Sequence, residues 1–211
     1  GLGDVYKRQR QRWGWMAQMY SVRSAESWGV GDYGDLRHLL KDAAEKTHAD
    51  FMLINPIHAC APIPPLEPSP YLPESRRFLN VTYIRPQDIA EYADLSESDK
   101  AEVARLHAQV SAANDDVNPM DINSAWCHKR QALKIIFRQP RSVERQSAFE
   151  RFKEQAGPDL KAFAAWSVAF EVWGAPWETS WFNDTNRDSP EVAELIREHA
   201  DLVEFQCWLQ W

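Results

Sequence analysis

The sequence predicts an α/β protein whose first part is a parallel sheet and whose second part is helical. Three observations predict it. Two short, continuously apolar segments, "WGWMAQMY" at Trp13 to Tyr20 and "DFMLINPIHA" from Asp50 to Ala59, lack the polar alternation of a one-sided strand. Between them an apolar stripe at Leu36, Leu39, Leu40, Ala43 and Ala44 follows helical spacing. From about Ser96 onward the chain is charged, helix-period sequence with few strand signals.

Trp13 to Tyr20 reads as a buried first strand that runs into a polar loop at Ser21 and Arg23. "SWGVGDYGDL" then sets Gly29, Gly31 and Gly34 around Asp32 and Asp35, a turn suited to positive φ and to helix capping. A helix starts near Asp35 and ends near Thr47. The second apolar segment is strand two, closed by Asn55-Pro56. Strand, helix and strand of this kind imply a right-handed crossover and parallel pairing. In such sheets the loops beyond the strands' carboxyl ends carry ligand chemistry, and Ser21–Gly34 and Asn55–Asn80 occupy that position. Further helices are expected over Glu97 to Ala113, Ile122 to Gln139, Val143 to Gln155 and Pro158 to Trp173, with breaks at Asn118-Pro119, Pro140 and Gly157-Pro158. A last helix begins at Ser189-Pro190-Glu191 and continues into "FQCWLQW". Two strands cannot close a sheet, so the expectation is a fragment whose remaining strands lie downstream.

The 211 residues carry a net charge of −7, which argues against an extended nucleic-acid or anionic-membrane surface. Cys60, Cys127 and Cys207 are odd in number and far apart, so neither a disulfide framework nor a metal knuckle is expected; no cofactor is expected, and a reducing cytoplasm fits. No apolar run is long enough to span a bilayer. Residues 1–12 resemble a translated adapter sequence and are read as a leader outside the fold. Ten tryptophans are unusual, and they favour a thick core over any ligand role taken by themselves.

The order "YSVRSAESWGVGDYGDL", "DFMLINPIHA", then "SPYLPESRRFLN" followed by "YI" resembles the opening of the 4-α-glucanotransferases called amylomaltases or disproportionating enzymes, glycoside hydrolase family 77. Asn80-Val81-Thr82-Tyr83-Ile84 stands where that family usually has Asn-Pro-Leu-Tyr-Ile. The resemblance implies an incomplete (β/α)8 TIM barrel, its first two strands within residues 13–95, and a large helical insertion over 96–211 leading back toward strand three. It also implies a retaining reaction on α-1,4-glucans such as maltodextrins, in which a sugar hydroxyl accepts the glycosyl group. The family's catalytic carboxylates lie on later strands, so no catalytic residue is expected before Trp211. An α-amylase-type hydrolase and a non-catalytic glucan-binding or helical interaction module are the competing readings.

On this resemblance Tyr71 is the first binding residue, its ring stacking on the glucose at the cleavage site, with Pro70 and Pro73 stiffening the loop around it. The bland alternative is a tyrosine that plugs the loop. Ser69 fits a sugar hydroxyl contact or a turn bond to backbone equally well. Arg76 and Arg77 fit sugar contacts, or ion pairs to Glu74 or a helix end. Asn80 supports loop backbone beside the site, and His58 either touches substrate or bonds within its loop. Asp32 and Asp35 are read as caps rather than a metal pair, because no calcium-like spacing accompanies them. Trp173, Trp177 and Trp181 fit a remote sugar platform, but packing is the favoured role.

Overall fold

The computed structural model describes residues 11–211; the expected leader at 1–12 falls almost wholly outside them. Strand β1 (Gly14–Ala17) pairs in parallel with β2 (Phe51–Ile54), Gly14 opposite Phe51 and Ala17 opposite Ile54. Helix α1 (Tyr33–Thr47) makes the crossover between them. The expected strand–helix–strand unit is therefore present. Its first strand is shorter than expected, because the chain turns into a 3-10 helix at Met19–Ser21. Burial also differs from expectation: Met16 is 77% exposed and Leu53 57%, since no described element covers that part of the pair.

The stretch Asn55–Asn80, expected as a stiff loop, contains a hairpin. Strand β3 (His58–Ala59) pairs antiparallel with β4 (Ser75–Leu79), with an irregularity between His58 and Ala59. Local prolines hide this from the sequence, because the pairing is set by a partner some twenty residues away. On the outer edge of β4 the Gln210 carboxamide both accepts from Leu79 N–H (3.0 Å) and donates to Leu79 C=O (2.9 Å).

The helices follow the expected order: α2 (Glu97–Ser111), α3 (Ile122–Arg138), α4 (Val143–Ala156), α5 (Pro158–Trp173), the short α6 (Trp181–Asp184), α7 (Pro190–Glu198) and α8 (Ala200–Gln210). Ser96, Asp121, Ser142 and Ser189 each accept a backbone N–H at a helix start, which explains where α2, α3, α4 and α7 begin. The single last helix expected from Ser189 is in fact two, broken at His199, whose ψ of 37° leaves the helical range. One core joins Trp28, Leu66 and Leu95 to Val103, Trp126, Ile136, Phe149, Phe170 and Phe205, so it spans both sides of Ser96. A smaller cluster of Met19, Val30, Tyr83 and Ala125 lies beneath the strands' outgoing segments.

Candidate saccharide-binding site

The turn before α1 is built around buried charge. Asp32 caps the helix by accepting Asp35 N–H at 3.0 Å, while Asp35 Oδ2 accepts Asp32 N–H at 3.1 Å. Arg85 enters from the segment after the hairpin, donating from Nε to Asp32 (3.0 Å) and from Nη2 to Asp35 (2.6 Å). Glu26 at 2.8 Å completes its shell. The capping role expected for both aspartates is what the geometry shows. Desolvation drives Asp32 above the ordinary carboxyl range despite Arg85. Desolvation also pushes Asp35 upward, but hydrogen bonds from Ser27, Ser24 and Arg85 outweigh it and hold that group low. The neighbouring glycines serve close approach more than positive φ: a Cβ on Gly34 would lie 2.5 Å from the Arg85 guanidinium, and one on Gly31 2.0 Å from Met19 C=O.

Asn55, at the end of β2, ties the two strands' exits together. Its Oδ1 accepts Met19 N–H at 2.7 Å, and its Nδ2 donates to Pro56 C=O at 2.9 Å. Asn80 does the same for the hairpin's exit, accepting from Thr82 N–H (3.0 Å) and Thr82 O–H (2.7 Å). Lys129 of α3 donates to Thr82 C=O at 2.6 Å, so the 80–83 turn is held from both ends. Burial pushes the Lys129 ammonium pKa down to about 8, with Asp32 partly offsetting the loss of water. Trp126 fixes the loop from the same helix, donating to Pro62 C=O at 2.9 Å.

These elements enclose a pocket of about 310 Å³ between the 66–73 loop and the start of α3. His58, Ser69 and Asn80 line it, with Pro70, Leu72, Tyr83 and Lys129. Three of the five expected binding residues are thus brought together. Tyr71 is 58% exposed, between two lining residues but not lining the pocket itself. Arg76 lies on exposed β4 away from the lining and has no ion-pair partner among the described residues, whereas Arg77 pairs with Asp159 at 2.6 Å at the start of α5. Ser69 Oγ accepts Tyr71 N–H at 3.4 Å, the turn bond weighed as its alternative role. Asn80 Nδ2 and the His58 ring donate to no described residue, which leaves both facing water or ligand. Burial raises the Cys60 thiol and the Tyr83 phenol to about 12 each, so both groups are neutral at pH 7.

Lys129 and Arg85 were not among the expected site residues. The signal for Lys129 is a lone cation in the buried stripe Ala125, Trp126, Ala132, Leu133 and Ile136. For Arg85 it is an arginine between Ile84 and Pro86, opposite an acidic capping turn. Trp173 and Trp181 meet edge to face at 5.6 Å, and Trp177, 58% exposed, leans on Phe170. The packing role favoured for them accounts for these contacts.

Comparison with known proteins converges on one group. The sequence model described as glycoside hydrolase family 77, 4-alpha-glucanotransferase, matches residues 17–211. A 4-alpha-glucanotransferase of Mycobacterium tuberculosis is 41% identical over 208 residues, covering 96% of this chain and 28% of the relative. That of Haemophilus influenzae is 29% identical over 218 residues, covering 94% of this chain and 30% of the relative. The crystal structure of amylomaltase from Corynebacterium glutamicum superposes with a TM-score of 0.75 at 38% identity, covering 95% of this chain and 26% of that one. The chain thus spans under a third of the length of these relatives, and over that span it belongs to glycoside hydrolase family 77.

Proposed function

We propose that this chain is part of a 4-α-glucanotransferase that moves α-1,4-glucan segments between maltodextrins by retaining double displacement. The observation that carries the reading is the hairpin pocket, where unpaired donors of Asn80 and His58 share one lining with Ser69, and the exposed Tyr71 lies in sequence between the lining residues Pro70 and Leu72. Sugars present alternating apolar C–H faces and hydroxyl edges, and such a pocket answers both. The parallel pair β1–β2 stands as the first two strands of a (β/α)8 barrel within residues 13–95, and 96–211 as a helical insertion. Tyr71 and Ser69 hold the glucose at the cleavage site, Asn80 and His58 reach its hydroxyls, and Arg76 meets a more distant unit.

The attacking and protonating carboxylates, about 5–5.5 Å apart in retaining enzymes, belong to residues beyond Trp211. The contribution of this segment is therefore to bind and orient. Water exclusion follows from the neutral, apolar wall of Cys60, Leu66 and Tyr83, and it favours a sugar hydroxyl as acceptor over water. The test is product analysis of the full-length protein on maltotriose. Glucose with a ladder of longer chains supports transfer; a steady rise of reducing ends means hydrolysis, and no reaction with either means a binding module. Tyr71→Ala should lower turnover at least tenfold, and unchanged turnover would remove the stacking role.

A further inference from the structure

A second pocket, of about 370 Å³, opens between α5 and α7 beneath the segment that contains α6. It lies within the ~300–1,000 Å³ of small-molecule sites. Three alanines of α5 give it depth, and Trp166, Trp173 and Trp181 supply its large faces. Trp181 is fixed by donating to Gly174 C=O at 2.9 Å. The indole N–H groups of Trp166 and Trp173 donate to no acceptor among the described residues, and neither nitrogen is sealed from solvent. Toward the start of α5 the lining becomes charged with both signs, through Lys161, Arg187 and Asp188. Arg187 lies 3.6 Å from Asp159 and 3.7 Å from Asp188.

The lining selects among ligands. An acyl chain would cover the alanines but leave two indole donors without partners, which is costly once water is displaced. A phosphate or carboxylate ligand would meet Asp188 beside the cations. A polyol with apolar ring faces satisfies all three features: C–H faces lie on indoles, and hydroxyls both donate to Asp188 and accept from the indoles, Lys161 and Arg187. The pocket is also attached to the hairpin. Phe78 of β4 stacks on Phe163 at 4.2 Å, Phe163 on Trp166 at 5.9 Å, and Asp159 bridges Arg77 to Arg187.

We propose that this pocket is a second saccharide site, holding glucosyl units of an α-glucan whose other segment engages the hairpin pocket. The inference takes its ligand class from the function proposed above. Its pocket, its tryptophans and its charged lining are separate from the residues that carry that function.

Maltoheptaose titrated into the full-length protein, followed by calorimetry and tryptophan fluorescence, tests it. Two classes of site are expected. Trp173→Phe, which keeps a ring against Trp181, and Arg187→Ala, whose side chain is 62% exposed, should each weaken one class about tenfold while the class removed by Tyr71→Ala persists. A single class abolished by Tyr71→Ala overturns the inference. So does binding of dodecanoate, but not of maltoheptaose, that depends on Trp173. Glucan transfer with only one class sinks this inference and leaves the glucanotransferase reading intact. Two classes without transfer uphold the site and remove that reading.

Discussion

Arg85→Met takes away the cation that lies between Asp32 and Asp35, leaving two carboxyl groups with side-chain exposures of 0% and 2%. Asp35 keeps its bonds from Ser24, Ser27 and the Asp32 N–H, so it stays ionised. Asp32 keeps the Asp35 N–H alone and is already raised by burial, so it takes up the proton, although Lys129 still acts on it. Protonating a group with an ordinary pKa of 3.8 costs about 4 kcal/mol at pH 7 and about 2 kcal/mol at pH 5. The sign is fixed by proton counts: in the variant the folded state holds one more proton than the unfolded state above pH 4, so stability falls as pH rises. The loss relative to the unsubstituted protein at pH 7 matches the 3–5 kcal/mol typical of a broken buried pair. Urea unfolding of both proteins at pH 5 and pH 7, followed by tryptophan fluorescence, measures it. A loss below about 1 kcal/mol, or one of equal size at both pH values, would refute the reasoning.

Gly34→Ala should cost about 1–3 kcal/mol by driving its methyl into the same guanidinium, and far less when Arg85 is already Met; paired thermal melts of the single and double variants show the coupling. Lys129 has a folded pKa of about 8 against an ordinary 10.5, so below pH 8 the buried cation's cost is fully present and it is relieved as pH rises through that window. Lys129→Met should therefore improve its standing against the parent by roughly 3 kcal/mol more at pH 8 than at pH 10.5, read by urea titrations, and a flat difference refutes the assignment. Trp126→Phe strands Pro62 C=O inside the core and should destabilise by about 1–3 kcal/mol in the same assay.

Much of the first unit was legible because its signals are local. The Asp32 to Asp35 spacing, the α1 stripe and two apolar runs give a capped helix between parallel strands, and serine caps mark the starts of α2, α4 and α7. What covers a strand is not local, and continuous apolarity says nothing about where the cover comes from; hence Met16 and Leu53 are exposed despite their character. The β4 strand was missed for a related reason. "SRRFL" has one aromatic and two arginines, and only His58, Ala59 and the Gln210 side chain make it a strand. At the pocket, Ser69, His58 and Asn80 were nameable by resemblance, but the buried lysine holding Thr82 needed coordinates.

The carboxamide of Gln210 reproduces at Leu79 the donor–acceptor pair of a neighbouring peptide group. A foreign strand arriving at that rim would have to evict a partner already tethered by its own helix, so the hairpin is shielded from runaway self-assembly by a plug one residue wide. Shortening that plug to alanine would reopen a docking ledge on the hairpin's free edge.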